Sequence, residues 1–376
     1  MKPAINGILI EDYSEEIWKP NQKSIMKSIL LIFLFLFLGF FPGEILSEKD
    51  LKVTSYNKKN QGSKAPKKVY IRSFNAYFEV FEEASAKTSG SKNERANRTT
   101  YTSGTSTSMG VQIQGVDVPD FQKLIDEAYQ NFVSQLKSQG YEIMTADEAK
   151  KYEYYADWTK KAGGASSDAQ VEGYIMVTPT GYDYLVKSVT KGGKEKMGGG
   201  FVDPTPKISK ELDNAFIADV NFAFPFVMLD ADASTWTNAT SVKAKIGYRI
   251  EPSLDPSENN HSITNFGVSR IPSQVRFVSG LDIGSNPLFD AKVEPKKAVY
   301  AEGVFKDTKI KEVTQAQTDM FSKTGYSQLV MVSGDQKKVA SHFADCDHDA
   351  YVNFASSVMK DMIDSGVSNF LELSKD

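Results

Sequence analysis

The strongest constraint on the fold is a pair of runs in which polar and apolar residues alternate. From Phe216 to Met228 every even position is apolar, and the run from Val242 to Ile250 repeats the pattern. A period of two is typical of β-strands that turn one face toward a core and the other toward water. We therefore predict half-exposed antiparallel strands over residues 216–229 and 241–251.

The first half of the chain carries a different pattern, in which strands alternate with helices. Pro119 and a three-to-four apolar spacing predict a helix that ends at Gly140. Thr145 and Glu148 form a capping box, which predicts a second helix as far as Lys161. Strands are predicted over residues 69–81, 141–144 and 173–178, so this segment follows a β-α-β-α-β order.

The predicted fold class is α/β in the mixed α+β sense. A helix-covered β-α-β-α-β half over residues 69–190 is followed by an antiparallel β-rich half over residues 201–376, and the two form one continuous domain. The second half closes with a C-terminal helix that begins at Asp349 and stops at Gly366.

Two polar segments are predicted to lack regular structure. Residues 48–68 are polar and basic without a hydrophobic period, so we expect a flexible tether. Between Ser85 and Ser108, 12 of 24 residues are Ser or Thr. Such a segment buries too little apolar surface to offset the entropy of ordering, which predicts a mobile loop.

Residues 1–47 are predicted to be a leader that contains a signal peptide. The apolar run Ile29–Phe41 has 13 residues, which is short for a membrane-spanning helix of about 20 residues and typical of the apolar part of a signal peptide. The residues before Met26 are partly acidic, whereas Met26 opens a short positive segment, so we expect translation to start there. Gly43 and Ser47 are the small residues that would precede the cut.

Composition limits the chemistry that the chain can carry. The 44 Lys and Arg residues against 48 Asp and Glu give a net charge of −4, without the basic surplus that nucleic-acid binding needs. A single Cys excludes an intramolecular disulfide and a zinc site of four thiolates. P-loop, H-E-x-x-H and G-x-S-x-G motifs are missing from the sequence. We therefore expect no enzyme and no cofactor.

One cluster near the C-terminus has the residue types of a metal site: His342, Asp345, Cys346, Asp347, His348 and Asp349. Cys346 with the two His suits zinc, whereas the three Asp at alternate positions resemble the opening of a calcium loop. A third interpretation needs no metal. In it, Asp347 or Asp349 caps the C-terminal helix and Cys346 packs as a small apolar residue.

The order of helix, Gly140-Tyr141, short strand and the capped segment Thr145–Glu148 resembles the α/β domain of envelope proteins similar to the curli secretion component. The resemblance covers residues 69–180. It implies an oligomeric export pore without catalytic residues, to which each subunit adds β-hairpins. The two alternating runs have about the length of a membrane strand, although Pro225 interrupts the first and no Cys follows the leader to carry a lipid.

The sequence therefore predicts an exported, non-enzymatic envelope protein that acts by binding or assembly, in the periplasm or at the outer membrane. The first alternative is an oligomeric outer-membrane secretion pore, and the second is a metal-dependent enzyme centred on the cluster from His342 to His348. A protein partner or self-association is expected, and nucleic acid is not. Membrane association, if it occurs, would not use a transmembrane helix of the mature chain.

Overall fold

A computed structural model of the protein describes residues 45–88, 91–95, 98–102, 106–197, 202–234, 239–254, 270–306, 312–314, 329–333 and 336–375. Residues from Glu44 to Asp376 form one compact unit. The helices are α1 (Gln61–Lys64), α2 (Val118–Ser138), α3 (Ala146–Ala149), α4 (Thr205–Glu211) and α5 (His348–Leu373), with short 3-10 turns at Lys58–Asn60, Glu153–Tyr155 and Ile283–Ser285.

The strands, in chain order, are β1 (Leu51–Asn57), β2 (Lys68–Glu79), β3 (Phe81–Lys87), β4 (Ser91–Arg95), β5 (Arg98–Thr102), β6 (Ser106–Gln114), β7 (Glu142–Met144), β8 (Thr159–Ala162), β9 (Tyr174–Val177), β10 (Asp183–Val186), β11 (Ser188–Val189), β12 (Glu195–Lys196), β13 (Phe216–Phe224), β14 (Val227–Ser234), β15 (Ala239–Ile246), β16 (Arg249–Ile250), β17 (Ser253–Leu254), β18 (Ile271–Pro272), β19 (Gln274–Leu281), β20 (Pro287–Pro295), β21 (Val299–Tyr300), β22 (Glu312–Thr314), β23 (Leu329–Ser333), β24 (Gln336–Val339) and β25 (His342–Asp345). The mixed α+β class predicted from the sequence is confirmed. Among the described residues, no helix has the length and apolar character needed to span a membrane.

A seven-stranded main sheet unites strands from both halves of the sequence. Its order is β1-β20-β19-β13-β2-β7, and β9 pairs with β2 beyond the short β7. The pairs β13–β2 and β2–β7 are parallel, and the other pairs of this sheet are antiparallel. Strand β13 therefore lies in the middle of the sheet.

Helices α2 and α5 cover one face of the main sheet through aromatic contacts. The ring of Phe132 in α2 lies 5.5 Å from that of Phe74 in β2 and 5.7 Å from that of Phe277 in β19, measured between centroids. Phe370 in α5 stacks on Phe277 at 4.0 Å and meets Phe216 in β13 at 4.9 Å. Burying a side chain of this size stabilises the fold by about 1.5–3 kcal/mol.

The other face of β13 carries two polar residues and is nevertheless buried. Asp219 is 2% exposed and Asn221 is 8% exposed. The Nε of Arg72 donates to Asp219 Oδ1 at 2.8 Å, and the Nδ2 of Asn75 donates to Asn221 Oδ1 at 3.1 Å. The predicted strand and its antiparallel pairing, which is with β19, are confirmed for residues 216–224. The predicted half-exposure is wrong, because the polar side chains find partners on β2 rather than water.

The chain leaves the main sheet immediately after β13. Pro225 has no N–H to continue the ladder, and Oε2 of the buried Glu79 accepts the N–H groups of Phe226 at 2.7 Å and Val227 at 3.0 Å. The guanidinium of Arg249 donates to the carbonyl oxygen of Val227 at 3.4 Å. These contacts separate β14 from β13 and start a second set of strands.

Two small three-stranded sheets follow from this departure, with the orders β25-β6-β3 and β14-β15-β22. They contact each other where Thr107 Oγ1 of β6 and Thr240 Oγ1 of β15 lie 2.7 Å apart. In β15, Val242 and Ala244 are buried while Lys243 and Lys245 are exposed. The predicted half-exposed antiparallel strand is thus confirmed for residues 241–246. Beyond them Arg249 and Ile250 form the separate short strand β16, and Arg249, which was predicted to be exposed, is buried.

The segment 48–68, predicted as a flexible tether, contains edge strand β1 of the main sheet. Strand β1 pairs along its length with β20, and Lys52 Nζ lies 2.8 Å from Glu294 Oε1 on that neighbour. Leu51 is the only fully buried side chain of the strand. An edge strand that buries one side chain shows no hydrophobic period, which explains why the sequence did not reveal it.

The Ser- and Thr-rich segment 85–108, predicted as a mobile loop, contains strands as well. Strands β3 and β6 pair antiparallel from Phe81 to Lys87, and β4 pairs with β5 beyond them. Ala86 and Thr107 are buried within this segment. The prediction is wrong because Thr fits a pleated strand and the ladder satisfies the backbone groups.

The local helix signals predicted where the helices begin more accurately than where they end. Helix α2 follows its prediction, and Glu148 N donates to Thr145 Oγ1 at 3.2 Å in the predicted capping box of α3. However, α3 ends at Ala149, and residues 159–162 form β8 against β10 instead of continuing a helix. Tyr155 and Trp158, which lie in the segment predicted as the second helix, are buried in the core.

Gly366 was predicted to stop the C-terminal helix, whereas α5 continues to Leu373. Gly366 is buried inside the helix, where a Cβ would lie 2.5 Å from Cγ1 and 2.6 Å from Cβ of Val275 in β19. The glycine is therefore required by close packing of helix on sheet rather than by a helix end.

We expect Gly366→Ala to lower the free energy of unfolding by about 1 kcal/mol. Overpacking costs on average about 2 kcal/mol, and Ala gains roughly 1 kcal/mol over Gly within a helix. Urea denaturation would measure the change, with Ser368→Ala on the exposed side of α5 as the matched control. A Gly366→Ala protein as stable as the parent would contradict the packing argument.

Candidate functional site

The structure distributes the predicted metal cluster over a strand end and a helix start. His342 and Asp345 are the first and last residues of β25, whereas Asp347 caps α5 by accepting the N–H of Ala350 at 3.0 Å. His348 and Asp349 open the helix. In the part of the chain that the structure describes, no three His, Cys, Asp or Glu side chains gather to hold a metal ion. The geometry therefore supports the helix-cap interpretation and neither the zinc nor the calcium set.

His348 joins the N-termini of two helices. Its Nε2 lies 3.1 Å from Asp120 Oδ1 in α2, and its Nδ1 lies 3.0 Å from Asp349 Oδ1. Because both bonds favour the charged imidazolium, the contacts with Asp349 and Asp120 raise the pKa of His348 above its ordinary value of 6.5. The carboxylates are further stabilised by the positive ends of the two helix dipoles.

Cys346 packs against the turn that precedes α2. At Gly115 the backbone φ is +103°, and a Cβ there would lie 2.6 Å from the carbonyl oxygen of Cys346. Partial burial, together with the nearby carboxylates of Asp347 and Asp345, raises the pKa of the Cys346 thiol to about 11. The thiol is therefore protonated at neutral pH, which does not suit a nucleophile.

Two residues of the predicted metal cluster, His342 and Asp345, instead lie with residues from distant strands around a cavity of about 280 Å³ between the two small sheets. We call it the inter-sheet cleft. Its walls are the apolar side chains of Met109, Val111, Ala244, Phe305 and Ala344, each at most 9% exposed. Its mouth carries Lys306, His342 and Asp345. Apolar walls with a few polar groups at one end are typical of a ligand pocket.

Small side chains on opposing strands account for the cleft. Ala244 of β15 and Ala344 of β25 lie on different sheets, and neither reaches far enough to fill the space between them. Nearer the ends of the sheets, Thr107 and Thr240 are within hydrogen-bond distance and hold β6 against β15. The sheets are thus joined at one place and separated at another. The cavity between them is unusual, because close-packed interiors ordinarily leave voids little larger than a water molecule.

The mouth of the cleft presents both signs of charge. Lys306 and Asp345 are exposed, and within the described ranges neither forms a salt bridge. Phe305 and Cys346 form an antiparallel bridge, so Lys306 follows one bridge residue and Asp345 precedes the other. The Oγ of Ser341 lies 2.9 Å from Nδ1 of His342.

In comparisons with known proteins, no family model, no curated protein and no solved structure matches the chain. Sequence reasoning found His342 and Asp345 but missed Lys306 and the walls of the cleft. The walls come from strands far apart in sequence, and no local pattern shows that β6 and β15 face each other. The one signal of these walls in the sequence was the alternation of apolar Val242 and Ala244 with lysines, which indicates that this strand turns a face toward a core.

We expect nuclear magnetic resonance titration to give His348 a pKa above 6.5, its ordinary value. Asp349→Asn and Asp120→Asn should each lower this pKa, whereas Asp345→Asn, which removes a carboxylate that does not contact the ring, should leave it unchanged. Because the folded-state pKa is raised, the stability from these bonds is complete below pH 6.5 and is lost as the pH rises through the folded-state value. An unshifted His348 in the parent protein would contradict the bridge.

Proposed function

We propose that this chain is an exported, non-enzymatic envelope protein that acts by binding, and that the inter-sheet cleft is its binding site. The observation that carries the proposal is the cavity of about 280 Å³, with apolar side chains in its walls and polar groups at its mouth. Its size is near the lower end of known ligand pockets. A small amphipathic molecule or one apolar group of a larger partner fits such a space.

The non-enzymatic part of the proposal rests on the sequence, which lacks the catalytic motifs sought, and on the high pKa of Cys346. The oligomeric secretion pore stays a prediction that no contact of the described residues favours, because Phe216–Phe224 is an interior strand of the main sheet. A protein partner, a second copy of the chain and association with a membrane surface remain predictions within the binding proposal.

Export is supported by the leader sequence, and the structure suggests where the leader would end. The N–H groups of Ile45 and Leu46 both donate to Asp361 Oδ2 of α5 at 2.9 Å, and Leu46 is 1% exposed. A cut after Ser47 would remove a buried side chain and both hydrogen bonds. We therefore propose that the leader ends at Gly43 rather than at Ser47.

We expect the chain, expressed in a Gram-negative bacterium, to appear in the periplasmic fraction with Glu44 as its first residue. Intact-mass measurement and N-terminal sequencing would establish this. A protein that starts at Glu48 would contradict the boundary, and one that stays in the cytoplasm with Met1 or Met26 intact would contradict export itself.

We expect fluorobenzene, used as a small apolar probe, to bind the purified protein in ¹⁹F nuclear magnetic resonance. Ala344→Leu should weaken this binding at least tenfold, since its added carbons occupy space that the probe needs; truly empty apolar cavities bind such probes. Ala244→Leu fills the cleft from the opposite sheet and should act alike.

The matched control is Ala233→Leu, which adds the same atoms to an exposed position of β14. It should leave probe binding unchanged. Thermal unfolding of each variant separates loss of binding from loss of folding. No probe binding to the parent protein, or binding to both cleft-filling variants as tight as to the parent, would overturn the proposed site.

A further inference from the structure

We infer that the inter-sheet cleft takes a small zwitterion with an apolar body, of the class of a free α-amino acid with an aliphatic or aromatic side chain. This inference rests on the proposed function, because it names the ligand of the same site. It follows from three properties of the cleft: its volume, its apolar walls and the two opposite charges beside each other at its mouth.

The volume limits the size of the ligand. A water molecule occupies about 30 Å³ in the liquid, so a space of about 280 Å³ corresponds to roughly nine groups of that size. Leucine has nine non-hydrogen atoms, and larger apolar amino acids have a few more. A fatty acid or a sterol would extend far outside the walls, whereas an apolar amino acid would place its side chain within them.

The walls favour an apolar side chain. Met109, Val111 and Phe305 contribute thioether, branched aliphatic and aromatic surface, and all are nearly inaccessible to water. Transfer of each buried methylene group from water contributes about 0.8 kcal/mol. The four side-chain carbons of leucine should therefore raise its affinity over that of glycine on the order of a hundredfold.

The charges at the mouth favour a molecule that carries both signs. The antiparallel bridge between Phe305 and Cys346 brings Lys306 and Asp345 next to each other on neighbouring chain segments, and neither has a salt bridge within the described residues. The ammonium of Lys306 would attract the ligand carboxylate, and the carboxylate of Asp345 would attract the ligand ammonium. A simple acid would be repelled by Asp345, and a simple amine would be repelled by Lys306.

The test compares leucine with three molecules that each lack one of its features. In calorimetric titrations of the purified protein, 4-methylpentanoate lacks the ammonium, 3-methylbutylamine lacks the carboxylate, and glycine lacks the apolar side chain. We expect each of the first two to bind about two- to five-fold more weakly than leucine, as solvated ion pairs are weak.

Two substitutions assign the charges. In Lys306→Met the advantage of leucine over 3-methylbutylamine should disappear, and in Asp345→Asn the advantage over 4-methylpentanoate should disappear. Lys207→Met, at an exposed position of α4 outside the cleft, is the control and should change neither ratio.

The outcomes separate this inference from the proposed function. If leucine binds no better than the two singly charged molecules, or if its advantage survives both substitutions, the zwitterion assignment is wrong even when fluorobenzene occupies the cleft. If neither leucine nor fluorobenzene binds, both the zwitterion assignment and the proposed function are wrong.

Discussion

Burial of β13 on both faces is the constraint on which the rest of the structure depends. One face contacts the helices, and the other places the charge of Asp219 in a water-poor interior, where an unpaired carboxylate costs several kcal/mol. Arg72 meets both carboxylate oxygens, and Ser73 donates to Oδ1 at 3.1 Å. The parallel register of β2 and β13 shifts between Ala218 and Asp219 at this point. The charge pair thus fixes which residues of the two central strands lie side by side.

The same central strands determine where the cleft can form. Pro225 ends the ladder of β13, and the carboxylate of Glu79 at the end of β2 accepts the next two N–H groups, which would otherwise be buried without an acceptor at a cost of about 1–3 kcal/mol each. Strands β2 and β13 both end here, and the strands that follow them, β3 and β14, belong to the two small sheets. The space between those sheets is therefore set by a carboxylate in the core of the protein.

Features with a local physical cause could be predicted from the sequence, and features that depend on distant partners could not. Helix α2 and the Thr145–Glu148 cap follow from spacing and capping within a few residues. Strand β1 exists because β20 lies beside it, more than 230 positions along the chain. The local sequence predicts a helix end at Gly366, because Val275, the residue against which Gly366 packs, lies on another element. The cleft combines both cases: His342 and Asp345 are visible as ligand-type residues, whereas Lys306 joins them only through a bridge between separate segments.

The cluster from His342 to Asp349 shows why a set of ligand-type residues need not make a metal site. Successive side chains of a strand point to opposite faces, and the helix that follows requires its first carboxylates for its own exposed N–H groups. Asp347 is thereby occupied as a cap, and His348 is held between two carboxylates. Asp345, at the end of the strand, is left at the cleft mouth beside Lys306. The change from strand to helix distributes the ligand-type residues over two elements. The same change leaves the negative charge of Asp345 at the mouth of the inter-sheet cleft.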